Sequence, residues 1–161
     1  MPQSHQEDST LRIVRASAED VDRIAPLFEA YRRFYKQHPD PQRTRHFLAD
    51  RLAHSESVIF FALLGSGGEE AAVGFTQLYP SFSSTAMRRL WILNDLYVAP
   101  EARRNGIAKA LMERARQFAL ETNADGLCLE TAVDNIPGQR LYESLGWERD
   151  NEFFRYNLRL K

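Results

Sequence analysis

Apolar and charged residues alternate over residues 11–16, the period of a half-buried strand. Val21, Ile24, Leu27, Phe28, Tyr31, Phe34 and Tyr35 then recur at helical spacing. Ser17, three residues before Asp20, supplies a start signal of the capping-box kind, with Asp in place of Glu or Gln. Asp40-Pro41 opens a second helix as an N-cap followed by proline, and Phe47, Leu48 and Leu52 continue it. Residues 58–64 read as a strand, Gly65-Ser66-Gly67-Gly68 as a turn, and residues 71–79 as the hairpin partner. The Ser-rich stretch 80–85 reads as a loop. Residues 88–98 have a continuous apolar centre, which predicts a long strand in the middle of a sheet. Ile107, Leu111, Ala115 and Phe118 mark one face of a helix over about 105–122, and Asn123-Ala124-Asp125-Gly126 ends it. Residues 127–132 predict a strand, 135–145 a short helix closed by Gly146, and 147–160 one or two last strands. The order β-α-α-β-β-β-α-β-α-β is that of an α/β (α+β) fold with a mixed sheet.

Length and charge narrow the picture. The chain has 161 residues, enough for one domain with a sizeable core, expected over residues 11–161 behind a flexible polar tail at 1–10. With 43% apolar and 27% charged residues it is globular. A net charge of −1, with Lys and Arg dispersed, gives no field for nucleic acid or a membrane surface. No run is long and apolar enough to span a bilayer, and the polar start holds no signal peptide. Cys128 is the one cysteine, which excludes an intrachain disulfide and a Cys-rich zinc site and points to the cytoplasm. Set between Leu127 and Leu129, it reads as a buried structural thiol. No metal is expected.

The candidate chemistry begins where the long strand ends. Leu93-Asn94-Asp95-Leu96-Tyr97-Val98 is followed, four residues later, by Arg103-Arg104-Asn105-Gly106-Ile107-Ala108. The first N–H groups of a helix lack intrahelical partners, and the helix dipole makes that end positive. An anion fits there. Gly106 allows close backbone approach and a positive φ, Ala108 keeps the next position small, and Arg103 and Arg104 add cationic donors. The spacing is neither that of a P-loop nor that of a dinucleotide fingerprint. Taken alone, it reads equally well as a phosphate turn and as an ordinary helix start with solvated arginines.

A second motif follows one strand later, Asn135-Ile136-Pro137-Gly138-Gln139-Arg140-Leu141-Tyr142-Glu143-Ser144-Leu145-Gly146-Trp147. Val98-x-Pro100-x-x-Arg103-x-x-Gly106-x-Ala108 followed by Asn135-x-x-Gly138-x-x-Leu141-Tyr142-x-x-x-Gly146-Trp147 resembles the GNAT superfamily of acetyl-CoA-dependent N-acetyltransferases. The resemblance implies a mostly antiparallel central sheet flanked by helices. It implies that acetyl-CoA binds with its pyrophosphate on the backbone of Arg104, Asn105, Gly106, Ile107 and Ala108, next to Arg103. The pantetheine arm would lie along Leu96, Tyr97 and Val98 like an added strand. The Val98 N–H would stabilise the oxyanion, Asn135 would contact the arm, and Tyr142 would place its hydroxyl near the sulfur. Two central strands would splay apart here. A homodimer that pairs or exchanges C-terminal strands belongs to the same expectation, with Phe153, Phe154 and Tyr156 serving either that pairing or the core.

The acceptor must be a neutral amine, so a base is needed. Asp95 is one candidate, since a carboxylate inside an apolar strand needs a partner. That partner is equally well structural, such as Arg88, Arg89 or a backbone N–H. Glu130 is a second candidate, or else a charge facing water. The segment Trp91 to Val98 looks like the corresponding strand of polyamine-type acetyltransferases, where an acidic pair stands in place of Asn94-Asp95. Tyr31, Tyr35 and Tyr79 border the acceptor side in the family, with Asn94 and Glu130, and an aromatic, hydroxyl-rich wall suits a small amine. Small-molecule amine acetylation is the favoured reading. A protein or peptide lysine acetyltransferase of histone type, and a non-catalytic CoA-binding module, are the alternatives.

Overall fold

A computed structural model describes residues 10–66 and 68–160. The chain divides into two compact units between Leu129 and Glu130. The first holds a five-stranded sheet of β1 (Thr10–Arg15), β2 (Val58–Ser66), β3 (Glu69–Ser83), β4 (Arg88–Val98) and β5 (Gly126–Cys128). The strands lie in the order β1-β2-β3-β4-β5. The first four pair antiparallel, and β5 runs parallel to β4. The helices of this unit are α1 (Val21–Phe34), α2 (Pro41–Ala53) and α3 (Ile107–Glu121).

Alternate residues of a strand face opposite sides, and the sheet is covered on both. On one side Phe61 and Phe75 join Ile24, Phe28 and Leu48 in a core under α1 and α2. On the other, Phe60 and Trp91 meet Phe118 of α3, with ring centroids 5.5 and 5.1 Å apart. Ser17 and Asp20 do form the capping box, but on the 3-10 turn Ala18–Asp20 that leads into α1. Asp40 caps α2 through the Arg43 N–H at 3.1 Å, ahead of Pro41. Glu29 ties the two helices together. Its buried carboxylate accepts from Arg32 at 2.8 Å, from the Asp40 N–H at 3.0 Å and from the Thr44 hydroxyl. Burial alone would push that carboxyl up; the bonds from Thr44, Arg32 and Asp40 outweigh it and hold it below the usual glutamate range.

Several elements differ from the sequence expectation. The first strand begins at Thr10, so Thr10 belongs to the sheet; residues 1–9 and Gly67 of the predicted turn lie outside the described residues. Residues 80–83 are strand, not loop, because they find partners across the hairpin: Pro80 opposite Trp91 and Ser83 opposite Arg88. The middle strand of the sheet is β3, and β4 is one place from the edge; its apolar centre reflects cover on both faces. The strand predicted over 127–132 shrinks to Gly126–Cys128, since its ladder with β4 ends at Ile92 and Cys128. Cys128 is exposed, not buried, at the end of this short edge strand.

The second unit holds α4 (Ile136–Ser144). The strands predicted over 147–160 are absent among the described residues. Phe154, Tyr156, Leu158 and Leu160 keep a strand-like alternation, yet each is at least 85% exposed. A strand exists only as one side of a ladder, and no pairing partner for this segment is found among the described residues.

Candidate active site

One extra residue organises the site. Along β3 and β4, Gln77 faces Asp95 but Leu78 faces Leu93, so Asn94 has no opposite number. This is a β-bulge, which re-aims the side chains beyond it. Without it, residues 91, 93, 95 and 97 would share one face. Instead Trp91 packs on Phe118 of α3, while Tyr97 lies 6.3 Å from the ring of Tyr31 on α1. Asp95 turns to the α1 side with Tyr97, and Asn94 is left exposed.

There Asp95 is 4% exposed. Gln77 donates to its Oδ2 at 2.7 Å and Asn94 to its Oδ1 at 3.1 Å. The Tyr31 hydroxyl also bonds to it. No cation pairs with it among the described residues: Arg88 lies 3.9 Å from Asp125, and Arg89 stacks on Phe82 and Trp91, so neither is the partner that the sequence suggested. Burial pushes the Asp95 carboxyl up, and the bonds from Gln77, Tyr31 and Asn94 only partly offset it. Burial and the charge of Asp95 also raise Tyr31, and push Tyr79 up to about 12. Both phenols therefore stay protonated at neutral pH.

Gln77 went unnoticed in the sequence. It is fully buried and bridges two functional groups, donating to Asp95 and, at 3.0 Å, to the Tyr79 hydroxyl. Its Oε1 has no partner. Only the pairing of β3 with β4 gives it meaning, and no local pattern announces that. Tyr35, half exposed at the end of α1, packs edge-on against Tyr31 with centroids 5.0 Å apart.

The phosphate-turn candidate lies beyond the end of β4. Arg103 donates to the Val98 carbonyl at 3.0 Å, and its guanidinium stands 5.9 Å over the Tyr97 ring, so it braces the turn against the strand. Arg104 and Gly106 both take positive φ, 64° and 72°. Asn105 donates to the Ala102 carbonyl at 3.3 Å. Gly106 stands at the N-cap of α3, and no side chain makes a capping hydrogen bond there. The first N–H groups, on Ile107 and Ala108 among them, are therefore free to hold an anion. Beyond Ile92 the ladder with β5 has stopped, leaving Leu96, Tyr97 and Val98 paired on the β3 side only.

In the second unit, Asn135 is the N-cap of α4, accepting from the Gly138 N–H at 3.2 Å and donating to Thr131 at 2.9 Å. A Cβ on Gly138 would fall 2.4 Å from Asn135 Nδ2, so a side chain there would push the Asn135 amide out of its cap. Tyr142 is half-buried, with its carbonyl accepting from the Leu145 and Trp147 N–H groups. Glu130 is exposed and pairs with Arg155.

The sequence profile described as the Acetyltransferase (GNAT) family matches residues 22–147, which include the bulge, the turn and the Asn135 to Trp147 motif. The chain belongs to the GNAT acetyltransferase family.

This acetyltransferase is 44% identical over 148 residues to the uncharacterized N-acetyltransferase YhfO of Bacillus subtilis (strain 168), covering 92% of the chain and 97% of that protein. Its fold matches the crystal structure of a probable acetyltransferase with a TM-score of 0.87 at 48% identity, over 93% of this chain and 98% of that one. It also matches the fold of the aminoglycoside N-acetyltransferase AAC(6')-Iy in complex with CoA, with a TM-score of 0.78 at 18% identity, over 96% and 99% of the two chains. GNAT acetyltransferases use acetyl-CoA, and the uncapped start of α3, with Arg104 and Gly106 in left-handed backbone, fits an anionic pyrophosphate. Among the described residues no helix is long and apolar enough to cross a membrane, and no cluster of ligands suits a metal ion.

Proposed function

We propose that this enzyme transfers the acetyl group of acetyl-CoA to a primary amine of a small molecule, by direct attack in a ternary complex. The observation that carries the reading is Asp95, a buried carboxylate held by neutral donors alone. An ammonium is the counter-charge it lacks. Asp95 itself is almost closed off, so its reach outward runs through the half-buried Tyr31 and Tyr79. An amine like that of lysine, with a reference pKa of about 10.4, is neutral in fewer than about one molecule in a thousand at pH 7. Asp95 accepts the surplus proton by relay through the Tyr31 hydroxyl, which donates to the carboxylate as it takes a proton from the amine, and the raised pKa of Asp95 narrows the gap to the amine. The neutral nitrogen then attacks the thioester carbonyl carbon. The C–N bond forms, the C–S bond breaks, and the second proton of the nascent ammonium passes to the departing thiolate, which leaves as the thiol.

In this reading the Val98 N–H stabilises the oxyanion, Asn135 meets the cofactor arm, and the Tyr142 hydroxyl hydrogen-bonds to the departing sulfur. Tyr142→Phe then lowers kcat about a hundredfold with the KM for acetyl-CoA unchanged. Arg104 to Ala108 hold the pyrophosphate. Asn94 bonds to Asp95 and adds no second carboxylate, which favours one ammonium over a polyamine. Tyr31, Tyr35 and Tyr79 form the aromatic wall. Glu130, paired with Arg155, is a further contact of the acceptor. The net charge of −1 supplies no acidic groove for a basic protein tail.

The same reading has a single acetyltransferase domain over residues 11–161, a cytoplasmic address in keeping with one cysteine, and a homodimer formed through the exposed apolar alternation of Phe154, Tyr156, Leu158 and Leu160. Light scattering at twice the chain mass checks the dimer. A panel of small amines and basic peptides, assayed for CoA thiol release, checks the substrate class. Turnover of small amines supports the reading, and turnover of peptides alone overturns it.

A further inference from the structure

At the end of α3 away from Gly106, a cleft of about 360 Å³ is lined by Arg15, Ser57, Val58, Arg89, Trp91 and Phe118, among others. The 15 residues of α3 put roughly 22 Å between this cleft and the phosphate turn. The Arg15 guanidinium lies 5.0 Å over the Phe118 ring, and that of Arg89 lies 5.2 Å over the Trp91 ring. Such stacking orients a planar guanidinium and leaves its N–H fork available. Neither arginine has a carboxylate partner within ion-pair distance among the described residues. Carboxylates on the adjoining segments are engaged elsewhere: Asp20 by the Ser17 N–H at 2.9 Å, Glu121 by Arg114 at 3.2 Å, Asp125 beside Arg88 at 3.9 Å. Ser57 is 5% exposed, and its hydroxyl has no hydrogen-bond partner.

The end of a helix carries roughly half a negative charge, which opposes an anion. Here the Phe118 carbonyl already accepts from the N–H and hydroxyl of Thr122, whose oxygen also takes the Trp91 indole N–H at 2.8 Å. Two full positive charges outweigh what is left. The two guanidiniums with the hydroxyls of Ser55 and Ser57 offer more donors than the two oxygens of a carboxylate can accept, and suit the three of a phosphate. Trp91, Phe118 and Val58 supply an apolar floor. The volume is that of a small-molecule site.

We propose that this cleft binds a small phosphomonoester, its phosphate on Arg15 and Arg89 and its apolar body on Trp91. The site is separate from the acetyl-CoA site and independent of the acceptor chemistry.

Phenyl phosphate is the probe, added to the full chain saturated with CoA so that the phosphate turn is filled. The reporter is the Trp91 indole N–H resonance in a 1H–15N spectrum; Trp147 is the other tryptophan, and Trp147→Phe assigns the pair. Saturable movement of the Trp91 signal is expected, with none from phenol at equal concentration. Arg15→Gln and Arg89→Gln each raise the Kd about tenfold or more, as loss of charge-assisted bonds requires. Arg89→Lys, which keeps the charge and loses the fork, weakens binding less and guards against a variant that fails to fold. A Trp91 signal that stays still in the natural chain, that moves equally with phenol, or that keeps its affinity in both glutamine variants overturns the proposal.

Discussion

Glu29 and Asp95 are both carboxylates with only 6% and 4% of their surface exposed, and both take three hydrogen bonds. They differ in who donates. Glu29 has a guanidinium, a backbone N–H and a hydroxyl, and its carboxyl lies below the ordinary range. Asp95 has two amides and a phenol, and its carboxyl lies above the ordinary range. A paired carboxylate has its charge answered and serves to fasten α1 to α2. An unpaired one keeps an unanswered charge, which is what a proton acceptor needs.

Inserting one residue between Gln77 and Leu78, opposite Asn94, is the hardest test of this contrast. With the bulge gone and Asn94 kept, regular alternation puts Asp95 on the same face as Trp91, so one of the two must leave its packing. Acetyl transfer should fall below detection and the melting temperature should drop by several degrees, read by thiol release and calorimetry. Next comes the exchange of roles. Asp95→Asn should cut kcat/KM by about 10²–10⁴ while stability holds or rises. Glu29→Gln should do the reverse, costing about 1.5–3 kcal/mol in denaturant melts with kcat/KM little changed. If both variants lose stability alike, the distinction between fastening and proton transfer is wrong.

Gly106→Val tests a region that the comparison leaves out. A Cβ there meets nothing within 4 Å, so folding suffers mainly from the positive φ, about 1–2 kcal/mol. The expected result is a Kd for CoA raised about tenfold, with the acid limb of the pH–rate profile, set by Asp95, in place. The smallest effects are in the pH dependence of stability. Because the Glu29 carboxyl is lowered, its contribution is whole above the ordinary glutamate value and is lost as pH falls through the lower folded one. Because that of Asp95 is raised, folding is favoured at acid pH and weakens as pH climbs from the ordinary aspartate value through the raised one. Glu29→Gln and Asp95→Asn should flatten opposite limbs of the curve.

Much of the architecture could be read from local pattern. Strand β4 runs over the predicted residues 88–98, α2 starts at its Asp-Pro signal, and α4 carries Asn135 as its cap. What failed was whatever depends on partners distant in sequence. Pro80 is strand because Trp91 lies opposite, while residues 154–160 alternate as a strand would and yet form no ladder among the described residues. Asp95 stood out as a charge in an apolar run. The absence of an arginine beside it, and the presence of Gln77, follow from a register that one unpaired residue shifts.

Gln77 carries a consequence for anyone engineering this protein. Its amide is wholly enclosed, and its carbonyl oxygen satisfies no donor, a defect worth about 1–3 kcal/mol. A thermostability screen blind to turnover will therefore favour apolar replacements at Gln77 and Asp95 together. Heat-resistant clones recovered that way should be checked at these two positions before their loss of activity is blamed on rigidity.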